Sequence, residues 1–300
     1  MSLPDTIDPT RLDALLQLAR DEDLGPHGDL TSALLPAPPN DAVGRWRLVA
    51  REPGRVCGRA LLPALLEALA PEVRVGPADP SDDTLDIAAG HSIATLEGRV
   101  GQMLAAERIV LNILQRLSGV ATLTHRFVRA VAGTHAKIYD TRKTTPGMRD
   151  LERYAVRCGG GHNHRSGLYD AVLIKDNHLA GIPVDRLAHT VFEMLGRIES
   201  LPAQPAFVEV ECDGLDQFSE LLKVAGIDVI LLDNFSIEHL RSAVAQRNDV
   251  GLRGKIELEA SGEADLENVR SIAETGVERI AVGAITHSAP ILDIGLDAAP

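Results

Sequence analysis

Apolar and polar positions divide the chain into two textures. From about residue 135 onward, short apolar or β-branched runs recur at 136–139, 171–174, 207–210, 229–232, 256–258 and 280–282. Runs that are apolar almost throughout suit strands buried on both faces, as in parallel sheets. Helical patterns at 215–225, 237–247 and 267–275 separate several of them, the last closed by Gly276 as a C-cap. Strands alternating with helices predict βα units and a parallel sheet or barrel. The first hundred or so residues are less regular. A helix is expected over 8–20 with an apolar stripe of Leu12, Leu15, Leu16 and Leu18, succeeded by a turn at 23–26 and a loop at 28–32. Short β-like pieces at 46–50 and 55–57 precede a helix over 61–70 and a longer one over 101–117, with Leu104, Ile109, Leu111 and Leu114 as its apolar positions.

The chemistry stands just past the end of each run. In order come Asp140-Thr141-Arg142-Lys143, Lys175-Asp176-Asn177, Glu211, Asp233-Asn234, Glu259-Ala260-Ser261-Gly262 and Gly283-Ala284. In a β/α barrel the C-terminal strand ends converge on one rim, where active sites are built. Loop starts alone would explain polar residues there. They explain less well why Arg, Lys, Glu and Asp recur rather than Asn or Ser.

Composition narrows the partners. Lys plus Arg number 30 against 43 Asp plus Glu, a formal net charge of −13, which disfavours nucleic acid or anionic membrane as the main partner. Three scattered cysteines, Cys57, Cys158 and Cys212, without a CxxC pair, argue against a disulfide framework or structural zinc and fit a reducing compartment. With no secretory pattern at the start and no apolar run near the roughly 20 residues that span a bilayer, the expectation is a soluble cytoplasmic protein.

Against that acidic background, residues 137–165 carry seven Lys or Arg and only three acids. Clustered cations beside glycine-rich backbone suit a polyanionic small molecule. Arg149, Arg153 and Arg157 have near-helical spacing and read as a solvated helix face, whereas Arg142 and Lys143 stand at a strand end. Gly159-Gly160-Gly161-His162-Asn163-His164-Arg165 comes next, and consecutive glycines allow close approach of main chain to a ligand or another segment. A metal bound by His162 and His164 is a thin reading, since no carboxylate or Cys stands at ligand spacing. Lys175 could form a Schiff base or bind a carboxylate as a cation, and its neighbours do not separate the two. Glu211 and Asp233, at consecutive strand ends, can hold Mg²⁺ or steady a cationic transition state; helix capping is the plainer alternative, more credible for Asp233. The glycine loops at Ser261-Gly262 and Gly283-Ala284 stand where late barrel loops bind phosphate.

The segment from Asp140 to Arg149, DTRKTTPGMR, resembles the DTRKT-x-PG-x-R motif of the quinolinate phosphoribosyltransferases. The resemblance continues through Arg153 to Val156, Cys158 to Arg165 and Leu173 to His178, and runs from Asp21 to Ser288, nearly the whole chain. It implies an α/β fold, with an N-terminal α/β sandwich domain over 1–118 and an open seven-stranded α/β barrel over 119–287, the tail 288–300 packing back on the first domain. It implies transfer of phosphoribosyl from 5-phosphoribosyl 1-diphosphate to quinolinate, giving nicotinate mononucleotide, diphosphate and CO₂, with Mg²⁺ and no organic cofactor.

Carried over residue by residue, the resemblance implies that Arg142, His164, Arg165 and Lys175 meet the two quinolinate carboxylates. Lys143 lies near diphosphate and substrate. Glu211 and Asp233 face ribose and Mg²⁺-diphosphate, holding the metal partly through diphosphate or water. Ser261, Gly262 and Gly283 hold the 5′-phosphate. Arg108 reaches the site of a partner subunit, so the active unit is at least a homodimer. A Schiff base on Lys175 then has no substrate carbonyl to form on. Two departures stand beside the site, Thr145 in place of a usual Leu and His162 in place of Ala or Val, with small effects on affinity expected. The acidic signature of type I phosphoribosyltransferases is missing, and Ser81-Asp82-Asp83-Thr84 reads as a surface turn.

Overall fold

The computed structural model describes residues 3–35, 42–76 and 86–299, so the turn expected at 81–84 lies outside them. Two compact units divide the chain. One comprises residues 1–125, 144–160 and 285–300; the other comprises 126–143 and 161–284.

The first unit is built on a four-stranded antiparallel sheet in the order Ile294–Ala299, Val43–Ala50, Ser92–Arg99, Val73–Val75. The C-terminal strand pairs with Val43–Ala50 from Arg45↔Ala299 to Ala50↔Ile294. The opening helix runs Pro9–Leu24, started by Asp8, whose carboxylate accepts from the Thr10 and Arg11 N–H groups, with proline in its first turn. Its expected stripe is half right: Leu12 and Leu16 are buried, while Leu18 is 65% exposed. The expected 101–117 helix is longer, Val100–Ala130. Met103, Ala106, Val110, Ile113, Leu114 and Leu117 form its buried stripe, and Leu104, expected to join it, is 40% exposed.

Gly119, past the expected end, lies inside that helix for a tertiary reason. A Cβ placed on it would stand 1.9 Å from the Pro290 carbonyl oxygen, so the incoming tail requires a residue without a side chain. The tail is fastened beside it, where Leu292 N–H donates to Gln115 O and the Gln115 side chain donates to Ile294 O at 2.7 Å. Elsewhere in this unit Glu152, fully buried, accepts from Arg116 Nε and Nη2 at 3.0 and 2.7 Å and from Thr145 Oγ1 at 2.8 Å. The departure at Thr145 thus acts as a hydrogen-bond donor to a buried carboxylate.

The second unit holds a six-stranded parallel sheet in the order Lys137–Tyr139, Arg279–Ala281, Glu257–Ser261, Val229–Asp233, Val208–Cys212, Val172–Ile174. All six expected runs become strands, with ends shifted by up to three residues. His162 adds a one-residue parallel bridge to Tyr139, at the seventh position in the sheet. The sheet curls strongly. Arg279 lies in one strand and Phe207 immediately before another three places away, a separation of roughly 14 Å in a flat sheet. Yet the Arg279 guanidinium lies 5.5 Å from the Phe207 ring centre and 5.0 Å from that of Tyr139.

Gly119→Ala is expected to destabilise the fold by roughly 1–3 kcal/mol, because the clash is with backbone that cannot rotate away. Urea denaturation monitored by circular dichroism measures it, and an unchanged midpoint would show that the tail yields freely.

Candidate active site

The C-terminal strand ends of the second unit carry the expected residues. Lys175, just past Val172–Ile174, donates from Nζ to Glu211, which lies on the neighbouring strand Val208–Cys212. Glu211 and Asp233 line one cavity of about 270 Å³ with Asp176 and Asp213. Four carboxylates there make an oxygen-rich lining, with Lys175 bonded to one of them.

Arg142 and Lys143 lie beyond the end of Lys137–Tyr139 and are exposed, whereas Arg165 is buried. Burial lowers the Arg165 pKa, and the nearby positive charge of Arg142 lowers it further. The fields of Glu209 and Asp170 act the other way and favour its charge. Two guanidinium groups held close enough to repel one another mark a place where an anion is favoured.

His164 stands below this group, its side chain only 7% exposed. Its Nε2 is 2.9 Å from Glu209 and 3.4 Å from Glu259, two glutamates with no exposed surface. Burial opposes a charge on His164, but the two glutamates beside it outweigh that and push its pKa up to about 10. Burial and then the neighbouring Glu259 push Glu209 up to about 7, with His164 pulling the other way. The main chain is held from the other side by buried Asp140. It accepts from the His164 N–H at 2.7 Å and from the Asn163 side-chain amide at 2.6 Å.

At the far end of the rim, two loops close on each other. Asn234 N–H donates to Ser261 O at 2.9 Å, and Asn234 holds φ at +55°. Gly262 has φ +127°, and a Cβ there would stand 2.5 Å from Asn234 Oδ1. Only glycine meets both demands. Gly283 opens the turn into the short helix Ala284–His287. Arg108 belongs to the first unit, is exposed, and lines a cavity of about 260 Å³ with residues that include Leu15, Ile109 and Met148.

The sequence pattern places Asp140, Asn234 and Glu259 at strand ends without giving them a role, and does not point to Glu209 or Arg279. A signal for two of them exists. Strand alternation puts Glu209 on the same face as Glu211, and Glu257 on the same face as Glu259, inside otherwise apolar parallel strands. An acid in the middle of such a strand needs a partner within the sheet.

Two family models match the chain. Residues 29–118 match the quinolinate phosphoribosyl transferase N-terminal domain, and residues 120–297 match the C-terminal domain. The chain belongs to this family. It is 40% identical over 284 residues to the nicotinate-nucleotide pyrophosphorylase [carboxylating] of Mycobacterium leprae (strain TN), covering 94% of this chain and 95% of that one. It is 36% identical over 299 residues to quinolinate phosphoribosyltransferase [decarboxylating] 1b of Nicotiana tabacum, covering 95% and 81%. The solved structure of the nicotinate-nucleotide pyrophosphorylase from Francisella tularensis is 35% identical, with a TM-score of 0.84 and 98% of both chains covered. The mixed α/β fold, with an antiparallel sheet in one part and a parallel sheet in the other, is shared with that structure.

Asp140→Ala would leave the Asn163 amide and the His164 N–H without their acceptor. A stability loss of roughly 2–3 kcal/mol is expected from such unmet donors. Thermal unfolding of the variant tests it, and an unaltered transition would mean that water replaces the carboxylate.

Proposed function

We propose that this chain transfers the phosphoribosyl group of 5-phosphoribosyl 1-diphosphate to quinolinate with loss of CO₂, yielding nicotinate mononucleotide and diphosphate for NAD biosynthesis. The observation that carries the reading is the pairing of two chemistries on one set of strand ends. Crowded cations, Arg142, Arg165 and Lys175, suit an acceptor with two carboxylates. The oxygen-lined cavity at Glu211 and Asp233 suits a sugar diphosphate with its metal.

In this reading the two carboxylates are gripped by Arg142, His164, Arg165 and Lys175, which orients the pyridine nitrogen toward the anomeric carbon. Fixing that geometry replaces much of the entropy cost of a bimolecular step. The nitrogen–carbon bond forms as the bond to diphosphate breaks, and positive charge builds on the sugar. Glu211 and Asp233 stabilise that charge, and Lys143 stands near the departing diphosphate. Mg²⁺ fits the carboxylate oxygens of Glu211 and Asp233, directly or through diphosphate or water, and when bound neutralises the leaving group. Ser261, Gly262 and Gly283 receive the 5′-phosphate, the first two in the loop that closes against Asn234. The quaternary ring nitrogen then takes up the electron pair left when the adjacent carboxylate departs as CO₂, and the ring carbon is protonated. No organic cofactor is required.

The reading extends to a cytoplasmic homodimer in which Arg108 serves the partner's site. The three cysteines are free and buried, as suits a reducing compartment, and no helix among the described residues is long and apolar enough to cross a membrane.

The deciding assay tracks CO₂ and nicotinate mononucleotide from quinolinate and 5-phosphoribosyl 1-diphosphate with Mg²⁺, with nicotinate as a parallel acceptor. Product from quinolinate alone is expected; turnover of nicotinate instead would sink the proposed acceptor. Lys175→Ala should abolish turnover while the protein stays folded, and near-normal activity would remove its assigned role. Mixing inactive Arg108→Ala with inactive Lys175→Ala should restore partial activity through hybrid dimers. An inactive mixture, after subunit exchange is verified, would rule out shared sites.

A further inference from the structure

Two of the loops that leave the strand ends begin side by side. Lys137–Tyr139 and Arg279–Ala281 pair in parallel, with Ala281 opposite Tyr139, and Val282 N–H donates to Tyr139 O at 2.9 Å. Past those ends one loop carries Arg142 and Lys143, and the other carries Gly283. Both loops then run on to the same buried ion pair. Glu152 has no exposed surface, and Arg116 Nη2 lies 2.7 Å from its Oε1.

Glu152 holds the first loop at Thr145, two residues after Lys143. It accepts from the Thr145 backbone N–H at 3.1 Å and from Thr145 Oγ1 at 2.8 Å. Arg116 holds the second loop, donating from Nη2 to Thr286 O, three residues after Gly283, and from Nη1 to Ala289 O at 3.0 Å. A guanidinium is a planar fork with fixed donor directions, so these bonds set angles as well as distances. Each loop is therefore fastened at both ends, by strand pairing before it and by the Arg116–Glu152 pair after it. A plainer account makes the pair a staple for the start of the helix Arg149–Cys158. That explains the bond to the Thr145 N–H. It does not explain a guanidinium bonded to two carbonyls 170 and 173 residues further along the chain.

We propose that Arg116 and Glu152 are positioning residues for 5-phosphoribosyl 1-diphosphate. They act through the two loops, setting the distance between the one that meets the diphosphate and the one that receives the 5′-phosphate. These are the two anionic ends of a single sugar, and a spacing fixed in advance need not be ordered when the ligand binds. The Thr145 hydroxyl adds a second bond to an anchor that the backbone N–H already makes. The inference rests on the proposed reading of Lys143 and Gly283.

Substituting both members of the ion pair at once leaves no buried charge without its counterpart, so Arg116→Met/Glu152→Met is expected to fold. Its KM for 5-phosphoribosyl 1-diphosphate should rise about 10-fold or more, with the KM for quinolinate within about 3-fold of wild type. A mere staple would lower stability and leave both constants unchanged, and a general loosening of the site would raise both equally; either result overturns the inference. Glu152→Gln has nearly the same volume but one acceptor fewer, so a rise of about 3-fold in the same KM is expected. An unchanged value in that folded variant also overturns the inference. Hydrogen exchange followed by mass spectrometry tests the anchoring without turnover. Peptides covering 141–147 and 283–289 should exchange faster in the methionine pair than in the wild type, and unaltered protection of both overturns the inference whatever the substrate. If the wild type does not use 5-phosphoribosyl 1-diphosphate at all, the functional reading fails and hydrogen exchange still judges the anchoring.

Discussion

The second unit depends on one constraint: two carboxylates buried in the hollow of a parallel sheet. Removing an ion of that size from water costs several kcal/mol even after relaxation, so Glu209 and Glu259 oblige their surroundings to answer them. The answers are visible. His164 Nε2 lies 2.9 and 3.4 Å from them, and Arg279 lies against the rings of Tyr139 and Phe207, where its charge acts on the same interior. Barrel interiors are ordinarily filled by layers of branched apolar side chains. Here a charged layer lies beneath the strand ends, and it brings strands three places apart into contact.

That layer changes what the rim above it can do. Fields act more strongly where water is excluded, so the buried guanidinium of Arg165 feels Glu209 and Arg142 more than a surface group would. Arg165 illustrates the point. It is buried, it is near a like charge in Arg142, and both facts make its own charge harder to hold. A negative charge placed there relieves that repulsion, and the field of Glu209 already favours the Arg165 charge in its absence. Lys175 and Glu211 are the complementary case, an ion pair in which each group holds the other at the strand ends.

How much of this is legible in the sequence depends on the range of the interaction. The six strands are readable because burial on both faces demands unbroken apolar runs, and the chemistry at their ends is readable because those residues interrupt the pattern abruptly. Gly262 is readable as a loop glycine, though its reason, Asn234 pressed against it, is not. The pattern misleads where a residue answers something distant in the chain. The helix expected to stop at 117 runs on through Gly119, which the tail at Pro290 requires. Leu18 and Leu104 fit a helical stripe but miss the buried face. Glu209 and Glu259 lie in or beside runs that are otherwise apolar, and their partner His164 comes from a segment rich in glycine. Arg108 carries no local signal of any kind, and family resemblance alone gives it a role.

The direction of the hydrogen bonds through the site also comes from donor and acceptor counting. Backbone N–H groups of His164 and Arg165 can only donate, so Asp140 and His164 Nδ1 must accept. With Nδ1 so committed, a neutral ring carries its hydrogen on Nε2, the nitrogen 2.9 Å from Glu209 and 3.4 Å from Glu259. Turning the ring to present an Nδ1–H would set two donors against each other at 2.7 Å. The segment from Asn163 to Arg165 therefore has one workable direction of bonding, from its own N–H groups to Asp140 on one side and to the His164 ring on the other.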